Sequence, residues 1–116
     1  MSKEDKIRAI VESWKAPRRL KEDTWQNVQL VLTHYGFTFE RKSEWVCTHS
    51  EFMELARNPR AKDLLRNYKL GVRGDFSLAV THGANTKAGM VKRCYLNDIL
   101  KYIELLEFIR GRKEQS

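Results

Sequence analysis

The 116-residue chain is long enough for one domain with one core, and its 41% hydrophobic content, with five Phe, four Tyr and three Trp, excludes disorder along its whole length. No apolar run reaches the roughly 18–20 residues of a membrane span, and the two cysteines, Cys47 and Cys94, suit neither a disulfide framework nor a metal site. The 22 Lys and Arg against 15 Asp and Glu give a net charge of +7, with surpluses inside the chain at 50–74 and 84–101, so a folded positive surface and a polyanionic partner are expected.

In chain order, Ile7, Ile10, Val11 and Trp14 recur at helical spacing until Pro17. A loop from Ala16 to Glu22 leads to Asp23, placed as an N-cap with Gln26 completing a capping box. Trp25, Val28, Leu32 and Tyr35 then form a helical stripe, and Gly36 stands where a C′ glycine ends a helix. Residues 37–42 alternate apolar and polar as a half-buried strand does, and 44–49 are β-prone, with Lys42 and Ser43 turning between them. Residues 50–74 have mixed helical character, interrupted by Asn58-Pro59 and ended by Gly71 and Gly74. A third strand, Asp75 to His82, sets Phe76, Leu78, Val80 and His82 on one face. After a glycine-bearing loop, Leu96, Ile99, Leu100, Ile103 and Leu106 mark a last helix, with Gly111 as its exit.

This order predicts an α+β fold: a three-stranded antiparallel sheet with helices packed on one face, in the manner of a double-stranded-RNA-binding domain, and the other face open. Residues 1–22 are expected as a helical extension, 23–110 as the αβββα domain with 50–74 inserted between its second and third strands, and 111–116 as a frayed tail. The charged opening MSKEDKIRAI lacks the apolar stretch of an export leader, so a cytoplasmic protein with reduced thiols and no membrane partner is expected.

Three segments carry a family resemblance. The helix Thr24 to Phe37 (TWQNVQLVLTHYGF), the strand Ser77 to Gly83 (SLAVTHG) and the helix Lys87 to Leu100 (KAGMVKRCYLNDIL) together resemble the HicA toxins over about residues 23–108. The resemblance implies the toxin of a toxin–antitoxin pair, a protein that binds and cleaves mRNA without a metal or other cofactor and is covered by a HicB-like antitoxin. The family's Gly-Ser-x-His motif, whose histidine is the acid/base, aligns with Lys42-Ser43-Glu44-Trp45. Trp45 therefore stands at the catalytic histidine's position.

Three readings stay open at that point. The domain could bind RNA without cleaving it, with Trp45 as a platform on which an unpaired base stacks. Another residue could serve as acid/base, and His49 and His82 are the candidates because imidazole exchanges a proton near neutral pH. The local alignment could also be shifted. Trp45 on the helix side would instead place Val46 and Thr48 on the open face, because one step of register exchanges the two faces. Lys42 and Ser43 at the hairpin, and Lys87, Lys92 and Arg93 near the start of the last helix, are placed as RNA contacts. Arg57, Arg60, Lys62, Arg66 and Lys69 could extend the same track or only keep the insertion soluble. His34 reads as a helix-end charge and Cys47 as an inert core thiol. No P-loop and no zinc spacing occurs. The different-class alternative is a protein-interaction module that holds an antitoxin-like partner on its open sheet face.

Overall fold

The computed structural model describes residues 2–16, 21–81 and 89–115, without the side chains of 112–115. The first helix, α1 (Lys3–Lys15), is capped by Ser2, whose hydroxyl accepts from the Asp5 N–H, and it buries Ile7, Ile10, Val11 and Trp14 as its spacing requires. A three-residue strand, β1 (Glu22–Thr24), runs into α2 (Trp25–His34). The cap of α2 is Thr24, whose Oγ1 accepts from the Asn27 N–H at 3.2 Å, and not Asp23. The Asp23 carboxylate is taken instead by the Trp14 indole N–H at 2.8 Å, the Thr24 N–H at 2.7 Å and the Asn27 amide at 2.9 Å. That indole arrives from nine residues upstream, so no local pattern around Asp23 announces it.

At its other end α2 stops as the sequence indicates. Gly36 has φ +93°, the Gly36 N–H donates to Thr33 O at 3.1 Å and the Phe37 N–H to Leu32 O at 2.9 Å. These two bonds are the paired closure of a Schellman motif.

The strands β2 (Thr38–Arg41), β3 (Trp45–Thr48) and β4 (Phe76–Leu78) form an antiparallel sheet in the order β2-β3-β4. Register pairs Phe39 with Cys47 and Cys47 with Phe76, and this row faces the helices. Pairing of Glu40 with Val46, and of Val46 with Ser77, makes the opposite row. From α2, Trp25 packs on Phe39 at 5.3 Å, and from α5 (Arg93–Gln115), Tyr102 packs on Phe76 at 4.3 Å. Both helices thus cover the same face. The mixed α+β architecture is observed, with helices on one side of a small antiparallel sheet.

The third strand, expected from Asp75 to His82, is confined to Phe76–Leu78. Three further features depart from the sequence expectations. First, β5 (Met90–Lys92) pairs with β1 as a separate two-stranded ribbon, tied to the main sheet through the Thr81–Met90 bridge. Three-residue strands present too little periodicity to be distinguished from loop. Second, α5 runs through Gly111 to Gln115. Gly111 does not take a positive φ, so it lacks the conformation that would end the helix, and the expected frayed tail is helical up to Gln115.

Third, residues 50–74 are part of the core. They fold as α3 (Ser50–Ala56), a 3-10 turn (Pro59–Ala61) and α4 (Lys62–Asn67). Phe52, Leu65 and Leu70 are buried there with residues of every other layer. Phe52 meets Phe37 at 5.6 Å and Tyr102 at 6.2 Å, which fastens this segment to both α2's exit and α5.

Candidate functional site

Lys42, Ser43 and Trp45 are brought together at the β2–β3 hairpin, closed by the Lys42 N–H donating to Glu44 O at 2.8 Å. Lys42 and Ser43 are exposed, and Trp45 is half-buried. The Trp45 ring packs against Trp25 at 4.9 Å and Phe39 at 5.7 Å, with the Arg41 guanidinium over it at 5.9 Å. Its face is thus engaged by neighbours on the helix side of the sheet. The expected stacking platform is a satisfied aromatic cluster, and the register leaves Val46 and Thr48 on the open face.

His49 is 4% exposed and both ring nitrogens are used. Its Nδ1 accepts from the Glu51 N–H at 3.0 Å, which caps α3. An accepting Nδ1 requires the proton on Nε2, and Nε2 donates to Tyr35 O, 2.8 Å away, at the end of α2. The Arg110 Nη2 reaches the same carbonyl at 3.4 Å, and its Nε pairs with Glu51 at 3.2 Å. His49 therefore joins two helix ends and is not offered to a substrate. This removes it as an acid/base candidate. His82 and Lys87 lie outside the described residues.

Lys92 ends β5, in the ribbon with β1, and Arg93 opens α5, so neither belongs to the three-stranded sheet that carries the hairpin. Lys92 is exposed opposite Glu22. Arg93 turns inward: its backbone N–H donates to Lys21 O at 2.9 Å, and its guanidinium donates to Trp14 O at the end of α1. Arg93 thus fastens α1 to the start of α5, and a phosphate contact is not what its geometry provides.

The exposed positive charge is concentrated elsewhere. Arg57, Arg60, Lys62, Arg66, Lys69 and Arg73 are all exposed, and Asp63 is the single acid within 57–73. Among the described residues none of these six enters an ion pair. The outer sheet face, by contrast, is balanced: Lys42 and Arg73 stand with Glu40 and Asp75 around a cavity of about 400 Å³. The sequence indicated five of the six cations; Arg73 and the groove residues Glu40 and Asp75 escaped it, because only the turn before β4 brings Arg73 and Asp75 beside Glu40 of β2.

Cys47 is wholly buried, and burial pushes its thiol up to about 12. It is an inert core group, as its place in an alternating strand suggests. Among the described residues no group of three metal-ligating side chains occurs, and no helix is long and apolar enough to cross a membrane. No family model, no curated protein and no solved structure matches this chain.

Proposed function

We propose that this chain is an RNA-binding domain that holds the phosphate chain on the exposed cations of residues 57–73. The observation that carries the reading is their arrangement: six exposed cations and one acid on a short segment whose Leu65 and Leu70 are in the core, with no cation of the six ion-paired to a described neighbour. Unpaired cations at this density attract polyanions, because each neutralised phosphate releases condensed counterions. RNA is the polyanion favoured by the HicA resemblance of residues 23–108, and α2, β2, β3, β4 and α5, taken without the α3–α4 segment and the β1–β5 ribbon, follow the order expected of a double-stranded-RNA-binding-type domain. With Trp45 at the family's histidine position and His49 committed to two helix ends, the reading is binding without cleavage by either residue. A HicB-like antitoxin would then act by covering this basic surface.

The test is fluorescence anisotropy of a labelled RNA across a salt series. Affinity should fall steeply with salt. Arg57→Ala with Arg66→Ala should flatten the slope of log K against log salt by about 1 for each phosphate no longer neutralised. Binding that ignores both salt and these substitutions would sink the reading.

The charge-balanced sheet face and the unpaired edge of β2 favour a second reading, a protein-interaction module. It predicts a stoichiometric protein complex that salt hardly weakens and that Arg57→Ala and Arg66→Ala leave intact.

A further inference from the structure

The groove on the outer sheet face has a chemistry that a phosphate site alone would not have. Val46 forms its apolar floor, and Met53 overhangs it from α3. The Thr38 and Thr48 hydroxyls, facing each other across β2 and β3, share a hydrogen bond of 2.8 Å. Arg73 and Asp75 reach in from the turn before β4, Glu40 and Lys42 from β2 and the hairpin. That turn is fixed: the Gly71 N–H donates to Asp75 O at 2.7 Å and the Gly74 N–H to Gly71 O at 2.9 Å. Gly74, at φ +78°, lies so close to the Phe52 carbonyl that no Cβ fits, which holds Arg73 and Asp75 in place over the sheet.

Carboxylates repel phosphate, so Glu40 and Asp75 beside Lys42 and Arg73 call for a ligand with N–H donors as well as negative charge. An unpaired nucleotide has both. A carboxylate accepts through two oxygens and is matched by two adjacent donors. Guanine alone among the four RNA bases has them, N1–H and the N2 amino group, on its Watson–Crick edge. Adenine and cytosine place a ring-nitrogen acceptor beside their amino group, and uracil flanks its N3–H with two carbonyls, so each opposes the carboxylate with an acceptor.

We infer that this groove receives one unpaired guanine of a single-stranded RNA. Glu40 or Asp75 accepts from its N1–H and N2 amino group, Val46 and Met53 touch the ring, and Lys42 and Arg73 meet the neighbouring phosphates. The inference rests on the reading of 57–73 as the phosphate-holding segment, which delivers the strand to the groove through Arg73.

The experiment uses the full chain and labelled ten-nucleotide pyrimidine RNAs carrying one central guanine, inosine or adenine. The guanine strand should bind at least about tenfold more tightly than the adenine strand, as bidentate recognition of a base implies. Inosine, which lacks the N2 amino group, should fall between them. The double variant Glu40→Gln, Asp75→Asn should bind all three alike, with no loss of affinity for the adenine strand. The single variants Glu40→Gln and Asp75→Asn give the same test should the double variant fail to fold: at least one of them should reduce the preference. Equal wild-type affinity for all three strands, still falling with salt, overturns the guanine site and leaves the phosphate reading standing. A preference that survives both variants also overturns the site. No binding of any strand overturns both.

Discussion

A neutral imidazole has one donor and one acceptor, and His49 spends both on backbone groups of α2 and α3. His49→Ala should therefore lower unfolding free energy by about 1–3 kcal/mol in a denaturant titration, from a lost cap and a Tyr35 carbonyl left to the longer Arg110 bond. The RNA affinity of the folded fraction should stay unchanged, which separates a structural from a functional histidine. Cys47 is similarly withdrawn: with Cys94 exposed, a thiol reagent should modify one cysteine in the native protein and two after unfolding. Burial raises the Cys47 thiol from 9.0 to about 12, and burial, with Asp98 and Cys47 adding, raises the Tyr102 phenol. The unfolded thiol ionises first, so this stabilisation is complete below pH 9 and is lost as pH climbs toward about 12. Denaturant midpoints should fall across that window, and fall less steeply in Cys47→Ala.

Two glycines, one ending a helix and one within a helix, show how element boundaries depend on conformation. Gly36 ends α2 with φ +93°, and a Cβ there would lie 3.1 Å from His49 Nε2. Gly36→Ala should cost about 1–2 kcal/mol from the left-handed backbone alone, with further loss if the imidazole is displaced. Gly111 sits inside α5 with nothing within 4 Å of an added Cβ. Gly111→Ala should stabilise by about 0.5–1 kcal/mol, since the helix keeps its geometry and the unfolded chain loses freedom. Thermal melts of the two variants should thus move in opposite directions.

Across the whole molecule, residues 50–74 are an integral layer. Phe52, Leu65 and Leu70 share the core with α1, α2, the sheet and α5, and Tyr102 OH approaches Lys69 O at 3.5 Å. Burying each such side chain matters by about 2–5 kcal/mol, comparable in sum to the stability of a domain this size. Replacing 50–74 by a tight hairpin between β3 and β4 should therefore abolish cooperative unfolding, seen by circular dichroism. A decorative insertion would leave the melt intact. The same anchoring ties the backbone that carries the six cations to the core.

Local chemistry was legible in the sequence wherever the deciding partner lies within a few residues: the apolar stripes of α1, α2 and α5, the Gly36 closure, and the alternation of β2. The hairpin of β2 and β3 follows from that same periodicity, whereas the third strand is three residues long where Asp75 to His82 was expected. What tertiary structure alone decided is which group each polar side chain meets. Trp14 takes the Asp23 carboxylate, Tyr35 O takes His49, and Trp14 O takes Arg93, each across a sequence gap with no local signature. The inward turn of Trp45 belongs with these, because a period of two fixes alternation but leaves open which face meets the helices. The positive surplus of 57–73 could be counted from the chain; that all six of its cations are exposed and that Arg73 lies beside a groove of mixed sign required the fold.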